Sequence, residues 1–100
     1  MLALVLSVKP YDFQDDKGQS IKGFSLFFID PNTPITRGGI GHEVIKLSGS
    51  YDILNQFPST GMYDIDIAPK MKGKTPSWEL KGAKPVKQVA IKQICEGLLR

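Results

Sequence analysis

The sequence predicts an all-β fold, a small five-stranded Greek-key barrel of the OB type. Three observations point there. Short segments of strand-like alternation recur along a chain of 100 residues. Clusters rich in Gly, Pro, Asp and Lys separate them, and one brief stretch between the third and fourth segments has helical spacing. The same strands fit a small SH3-like barrel, because periodicity sets faces and not topology. The barrel is expected over residues 1–87, with residues 88–100 as a C-terminal tail that includes a short helix.

Leu2 to Lys9 is mostly apolar and β-compatible, and Tyr11 and Phe13 then alternate with Asp12 and Gln14. The first strand is therefore expected to continue past Pro10 with a bend there. Asp15-Asp16-Lys17-Gly18 is a turn signal, and Ile21 to Asp30 is the second strand of a hairpin. Alternation puts Phe24, Leu26 and Phe28 on one face, the core, and Ser25, Phe27 and Ile29 on the other. A large aromatic at Phe27 has two readings: burial on both faces of the strand, or display to a partner.

Pro31-Asn32-Thr33-Pro34 stops that strand. Glu43 to Leu47 is the third, closed by Ser48-Gly49-Ser50. Tyr51, Leu54 and Phe57 recur with a period near three, which predicts a short helical turn or 3₁₀ segment ending before Pro58. Gly61 to Ile67 alternates, with Tyr63, Ile65 and Ile67 on one side, as a half-buried fourth strand. Pro69 to Pro76 is expected as a loop loaded with Lys70, Lys72 and Lys74. Ser77 to Lys81 is the fifth strand, with Trp78 and Leu80 on one face, and Lys81 to Pro85 is its end or a bulge. Val86 to Arg100 fits a helix with Val86, Val89, Ala90, Ile94 and Leu98 on one side, while its front half also fits a strand. The preferred reading is a strand or extended start giving way to a short helical tail.

Composition narrows the function. Apolar residues are 41% of the chain, enough for one modest core. No apolar run is long enough to span a membrane. One cysteine and one histidine argue for a reducing, cytoplasmic setting and against a metal site. Gly38-Gly39-Ile40-Gly41-His42-Glu43 lacks both the Lys-Ser/Thr continuation and the following helix of a phosphate cradle, and reads as a connection between strands. Asp64 and Asp66 share a strand face, but general acid–base work needs such groups in a cleft. These features argue against an enzyme: no catalytic residue, metal, cofactor, small-molecule substrate or membrane partner is expected.

Charge is segregated. Net charge is only +3, yet residues 1–68 hold five basic and eight acidic side chains, and residues 69–95 hold seven lysines against Glu79 alone. A concentrated positive field attracts polyanions. Single-stranded nucleic acid needs cations along its phosphates and flat side chains under its bases. The residues expected to supply both are Lys22, Phe27, Arg37, Lys46, Tyr51, Lys70, Lys72, Lys74 and Trp78, with Tyr11 and Phe13 as further stacking candidates. Phe24, Leu26, Phe28 and Tyr63 are assigned to the core, and Phe27 and Trp78 fit core or display equally. Arg37 and Arg100 are the only arginines. Bidentate reading of guanine relies mostly on arginine, so the pattern favours backbone contact without sequence preference.

A set of segments carries a family likeness: Gly23-Phe24-Ser25-Leu26-Phe27-Phe28-Ile29-Asp30, then Glu43 to Leu47, then Pro58-Ser59-Thr60-Gly61-Met62-Tyr63, a basic stretch, and Leu80 to Val86. In order and spacing, residues 1–87 resemble the helix-destabilising single-stranded DNA-binding proteins of filamentous phages and related small phage and plasmid proteins. The resemblance implies a homodimeric OB-type barrel that coats single-stranded DNA cooperatively during replication, without sequence preference or cofactor. The tail from Gln88 to Arg100 has no counterpart in that pattern, and the acidic tip of cellular single-strand binders is absent. A second reading is a protein-interaction module whose apolar tail, Ile91 to Leu99, docks on another subunit or protein.

Overall fold

Strand-forming segments with one apolar face have to bury that face against each other. The chain does so with five antiparallel strands in a single sheet. The computed structural model describes residues 1–35 and 38–99, apart from the side chains of Lys72 and Thr75. The strands are β1 (Leu2–Gln14), β2 (Ser20–Ile29), β3 (Ile45–Ser50), β4 (Gly61–Lys72) and β5 (Thr75–Gln88). A 3₁₀ helix (Tyr51–Gln56) joins β3 to β4, and helix α1 (Ile91–Leu98) ends the described chain. The sheet order is β3-β2-β1-β4-β5. The sheet is open: among the described residues no ladder joins its edge strands, although β3 and β5 approach within 8 Å between Cα atoms.

The core faces inward from four strands. Ala3 and Val5, then Phe24, Leu26 and Phe28, then Tyr63 and Ile65, then Leu80 are buried together, with Phe57 capping them after the 3₁₀ helix. The Phe57 ring centroid lies 5.6 Å from that of Phe24 and 5.0 Å from that of Tyr63. The Tyr63 hydroxyl donates to the Ser59 carbonyl at 2.6 Å, so the one polar group at this cluster is satisfied. All four residues assigned to the core from alternation are there.

Three boundaries differ from expectation, each for a local reason. First, β1 passes through Pro10, and its irregularity falls between Val5 and Ser7 instead. β4 pairs only with Leu2 to Val5, so one flank of β1 is free at Pro10, where a strand tolerates proline. Second, β3 begins at Ile45, not at the expected Glu43, and runs on through Ser48-Gly49-Ser50. Gly49 sits opposite Phe24, and any Cβ there would overlap the Phe24 ring; glycine lets the ladder continue over a large core side chain.

Third, the expected lysine loop is a hairpin tip. β4 extends to Lys72 and β5 begins at Thr75, with only Gly73-Lys74 between them. Gly73 has φ +66°, the left-handed geometry that a two-residue hairpin connection requires. A register shift between Asp66 and Ile67, facing Leu80 to Gly82, is the bulge expected near Gly82. Among the described residues no helix is long and apolar enough to cross a membrane.

Candidate nucleic-acid interface

Register determines which side chains share the outer face of the sheet. Ser7, Lys9, Tyr11 and Phe13 of β1 stand opposite Phe27, Ser25, Gly23 and Ile21 of β2. Phe27, Ser25 and Gly23 in turn stand opposite Lys46, Ser48 and Ser50 of β3. Directly opposed residues point the same way. The result is a face of small polar residues with Phe27, Tyr11 and Phe13 set into it.

Phe27 is half-buried, and two lysine ammonium groups lie over its ring. The Lys9 ammonium lies 5.0 Å from the ring centroid and that of Lys46 lies 5.8 Å away. Both are within cation–π range. Phe27 is therefore outside the core, and its dual reading resolves to the outer face. Tyr11 and Phe13 lie further along that face with centroids 5.8 Å apart and planes inclined by 37°.

Where β3 and β5 approach, a groove of about 680 Å³ opens, lined by Tyr11, Lys22, Lys46, Lys70, Trp78 and Glu79 among others. Trp78 is 58% exposed. It follows the parity of buried Leu80, but the core ends at Leu80 and the hairpin continues beyond it, so Trp78 faces the groove. Glu79 is the sole carboxylate of the lining, and the Lys81 ammonium neutralises it at 3.1 Å. Lys22 has a distant partner, Asp12 at 3.9 Å, and lies 5.9 Å from the ring of exposed Tyr51. The groove thus presents three ammonium groups and two aromatic rings.

Of the nine residues expected at the interface, Lys22, Lys46, Lys70 and Trp78 meet in this groove. Phe27 adjoins it through Lys46, and Tyr51 adjoins it through Lys22. Lys74 is exposed at the hairpin turn. Arg37 lies outside the described residues, as does the side chain of Lys72. Lys9 is the contributor that reading along the chain missed. Its only signal is shared parity with Tyr11, and its approach to Phe27 depends on the β1–β2 register. Asp64 is exposed on β4, with its Oδ1 2.9 Å from the Met1 ammonium.

Elsewhere the polar contacts are structural. In the β1–β2 turn, the Lys17 and Gln19 amides both donate to Asp15 Oδ1 at 2.9 Å, and Gly18 has φ +77°. After β2, the Asn32 amide donates to Asp30 Oδ1 and the Thr33 hydroxyl to Oδ2, each at 2.9 Å. These two bonds, the Asn32 amide first, hold the Asp30 carboxyl below the usual carboxylate range. Comparison with protein-family models, with curated proteins and with solved structures finds no match to this chain.

Proposed function

We propose that this protein binds single-stranded DNA without sequence preference, in phage, plasmid or mobile-element replication. It acts in the cytoplasm by binding and not by catalysis. Phosphates run along Lys22, Lys46 and Lys70 toward the lysines of the β4–β5 tip, and bases stack on Trp78 and Phe27. The observation that carries this reading is the groove: three lysines and two aromatics converge in it, while its one carboxylate is already paired.

The sheet order supports the OB-type barrel within this reading. β3 and β5 are the two edges, and their approach, without a ladder between them, fits a barrel in which a helical turn falls between the third and fourth strands. OB barrels use the face of their second and third strands, with the loops beside it, to hold oligonucleotides. Here that face carries Phe27 and Lys46. The scarcity of arginine fits contact with the backbone and π-faces of any sequence.

The single tryptophan supplies the test. Titrating oligo-dT into the protein while following Trp78 emission is expected to change the signal at low salt. Three lysine–phosphate contacts give a slope of log affinity against log salt near about −2 for a single strand. No emission change and no retention of labelled oligo-dT at low salt would reject the function. Salt-insensitive binding would reject the phosphate track.

A further inference from the structure

We infer that Lys9 is a removable cover on Phe27: its ammonium occupies the ring in the free protein and yields it to a nucleobase. Lys9 thereby selects what Phe27 accepts. This role rests on the function proposed above.

Register gives the two lysines different routes to the ring. Lys46 stands directly opposite Phe27 across the β2–β3 ladder, whereas Lys9 stands opposite Ser25 and reaches Phe27 on the diagonal. Diagonal neighbours on one sheet face are within reach of long side chains. The diagonal lysine is nevertheless the nearer, with its ammonium 5.0 Å from the ring centroid against 5.8 Å for Lys46. The negative face of the ring attracts it there. Among the described residues the ion pairs are Met1–Asp64, Lys22–Asp12 and Lys81–Glu79, so no carboxylate draws either lysine away.

A ring face admits one partner at a time, and a base that stacks on Phe27 displaces the ammonium over it. The two lysines differ in where they can go. Lys46 lines the groove, beside the phosphate track. Lys9 is outside that lining, and its own cross-strand row continues through Ser25 to Ser48. Over these small side chains a four-carbon stem has room to fold back. An exposed cation–π contact is weak. A base tethered to phosphates that are already held in the groove therefore wins the ring. An uncharged apolar ligand has no such tether, and to reach Phe27 it has to strip water from an ammonium, which is costly. Lys9 in this way favours nucleotides over neutral apolar partners on the outer face.

NMR of the lysine side chains in the full chain tests the cover. In the free protein the Lys9 Hε resonances are expected upfield of their position in Phe27→Leu, because a ring current shields protons above its face. Saturating oligo-dT is expected to move them to the Phe27→Leu position. A strand of equal length built from abasic sites supplies phosphates without bases, and is expected to leave them upfield. Lys9→Arg keeps the charge and lays a flat guanidinium on the ring. It is expected to weaken oligo-dT binding roughly threefold, at an unchanged salt slope, and to change nothing in the Phe27→Leu background. Lys9 resonances at the Phe27→Leu position before DNA is added would overturn the inference. So would resonances that stay upfield while Trp78 emission reports bound oligo-dT, or that the abasic strand moves as far as oligo-dT does. Lys9→Arg that binds oligo-dT as tightly as the wild type would overturn it as well. Failure of the wild type to bind either strand, with the upfield shift present, would instead overturn the DNA-binding function and leave the lysine–ring contact standing.

Discussion

The two faces of β2 carry similar side chains and do opposite work. Inward, Phe24, Leu26 and Phe28 are fully buried against β1, β4 and the Phe57 cap. Outward, Phe27 is set among serines with the Lys9 and Lys46 ammonium groups over its ring. A phenylalanine contributes to stability only as far as apolar neighbours replace water around it. The inner face therefore supplies stability, and the outer face leaves a ring only half-buried, the ring on which the proposed function stacks a base. Hydrophobicity alone does not distinguish Phe24 from Phe27; the partners opposite them do.

The sharpest way to break that comparison is to truncate both rings. Phe24→Ala is expected to cost about 3–5 kcal/mol, enough to leave a small domain largely unfolded. Urea denaturation measures it. Phe27→Ala is expected to cost under about 1 kcal/mol by the same method, as a surface change. Equal losses would erase the distinction between the faces. Gly49→Ala attacks the inner face from β3, since its methyl overlaps the Phe24 ring. Overpacking of this kind costs about 1–3 kcal/mol. Combined with Phe24→Leu, the loss should be smaller than the sum of the two singles, a coupling that thermal melts would reveal.

For the outer face the readout is binding. Phe27→Ala is expected to weaken oligo-dT by about 1–3 kcal/mol, one stacked base, at unchanged salt slope. Lys46→Ala reaches both the groove and the Phe27 ring. It should weaken binding and make the salt slope shallower by about 0.7, one phosphate contact. A shallower slope in Phe27→Ala, or an unchanged one in Lys46→Ala, would reverse the assigned roles.

The smallest effect sits at the end of β2, where neither face is involved. The folded Asp30 carboxyl titrates below its unfolded counterpart. Its contribution to stability is therefore present above the unfolded value and lost as pH falls through the folded one. An NMR titration should find the Asp30 midpoint below the usual aspartate range, and Thr33→Val should move it upward.

The sequence by itself determined that five strands form, which face of each is apolar, that a short helical segment follows β3 and that the chain turns helical toward its end. Alternation and turn chemistry are local, and Phe24, Leu26, Phe28 and Tyr63 declare their side by parity with their neighbours. The lysines and aromatics of the interface were legible as residue types for the same reason. Their convergence was not. Lys22, Lys46, Lys70 and Trp78 come from four strands, and only the order β3-β2-β1-β4-β5 sets them around one groove. Length also escaped local reading. Prolines 69 and 76 and three lysines look like a loop, yet a two-residue turn at Gly73-Lys74 lets β4 and β5 pair across them. Trp78 and Phe27 needed the tertiary structure most. Exposure is a property of what lies opposite a side chain, and for these two residues that is a groove and a pair of lysines.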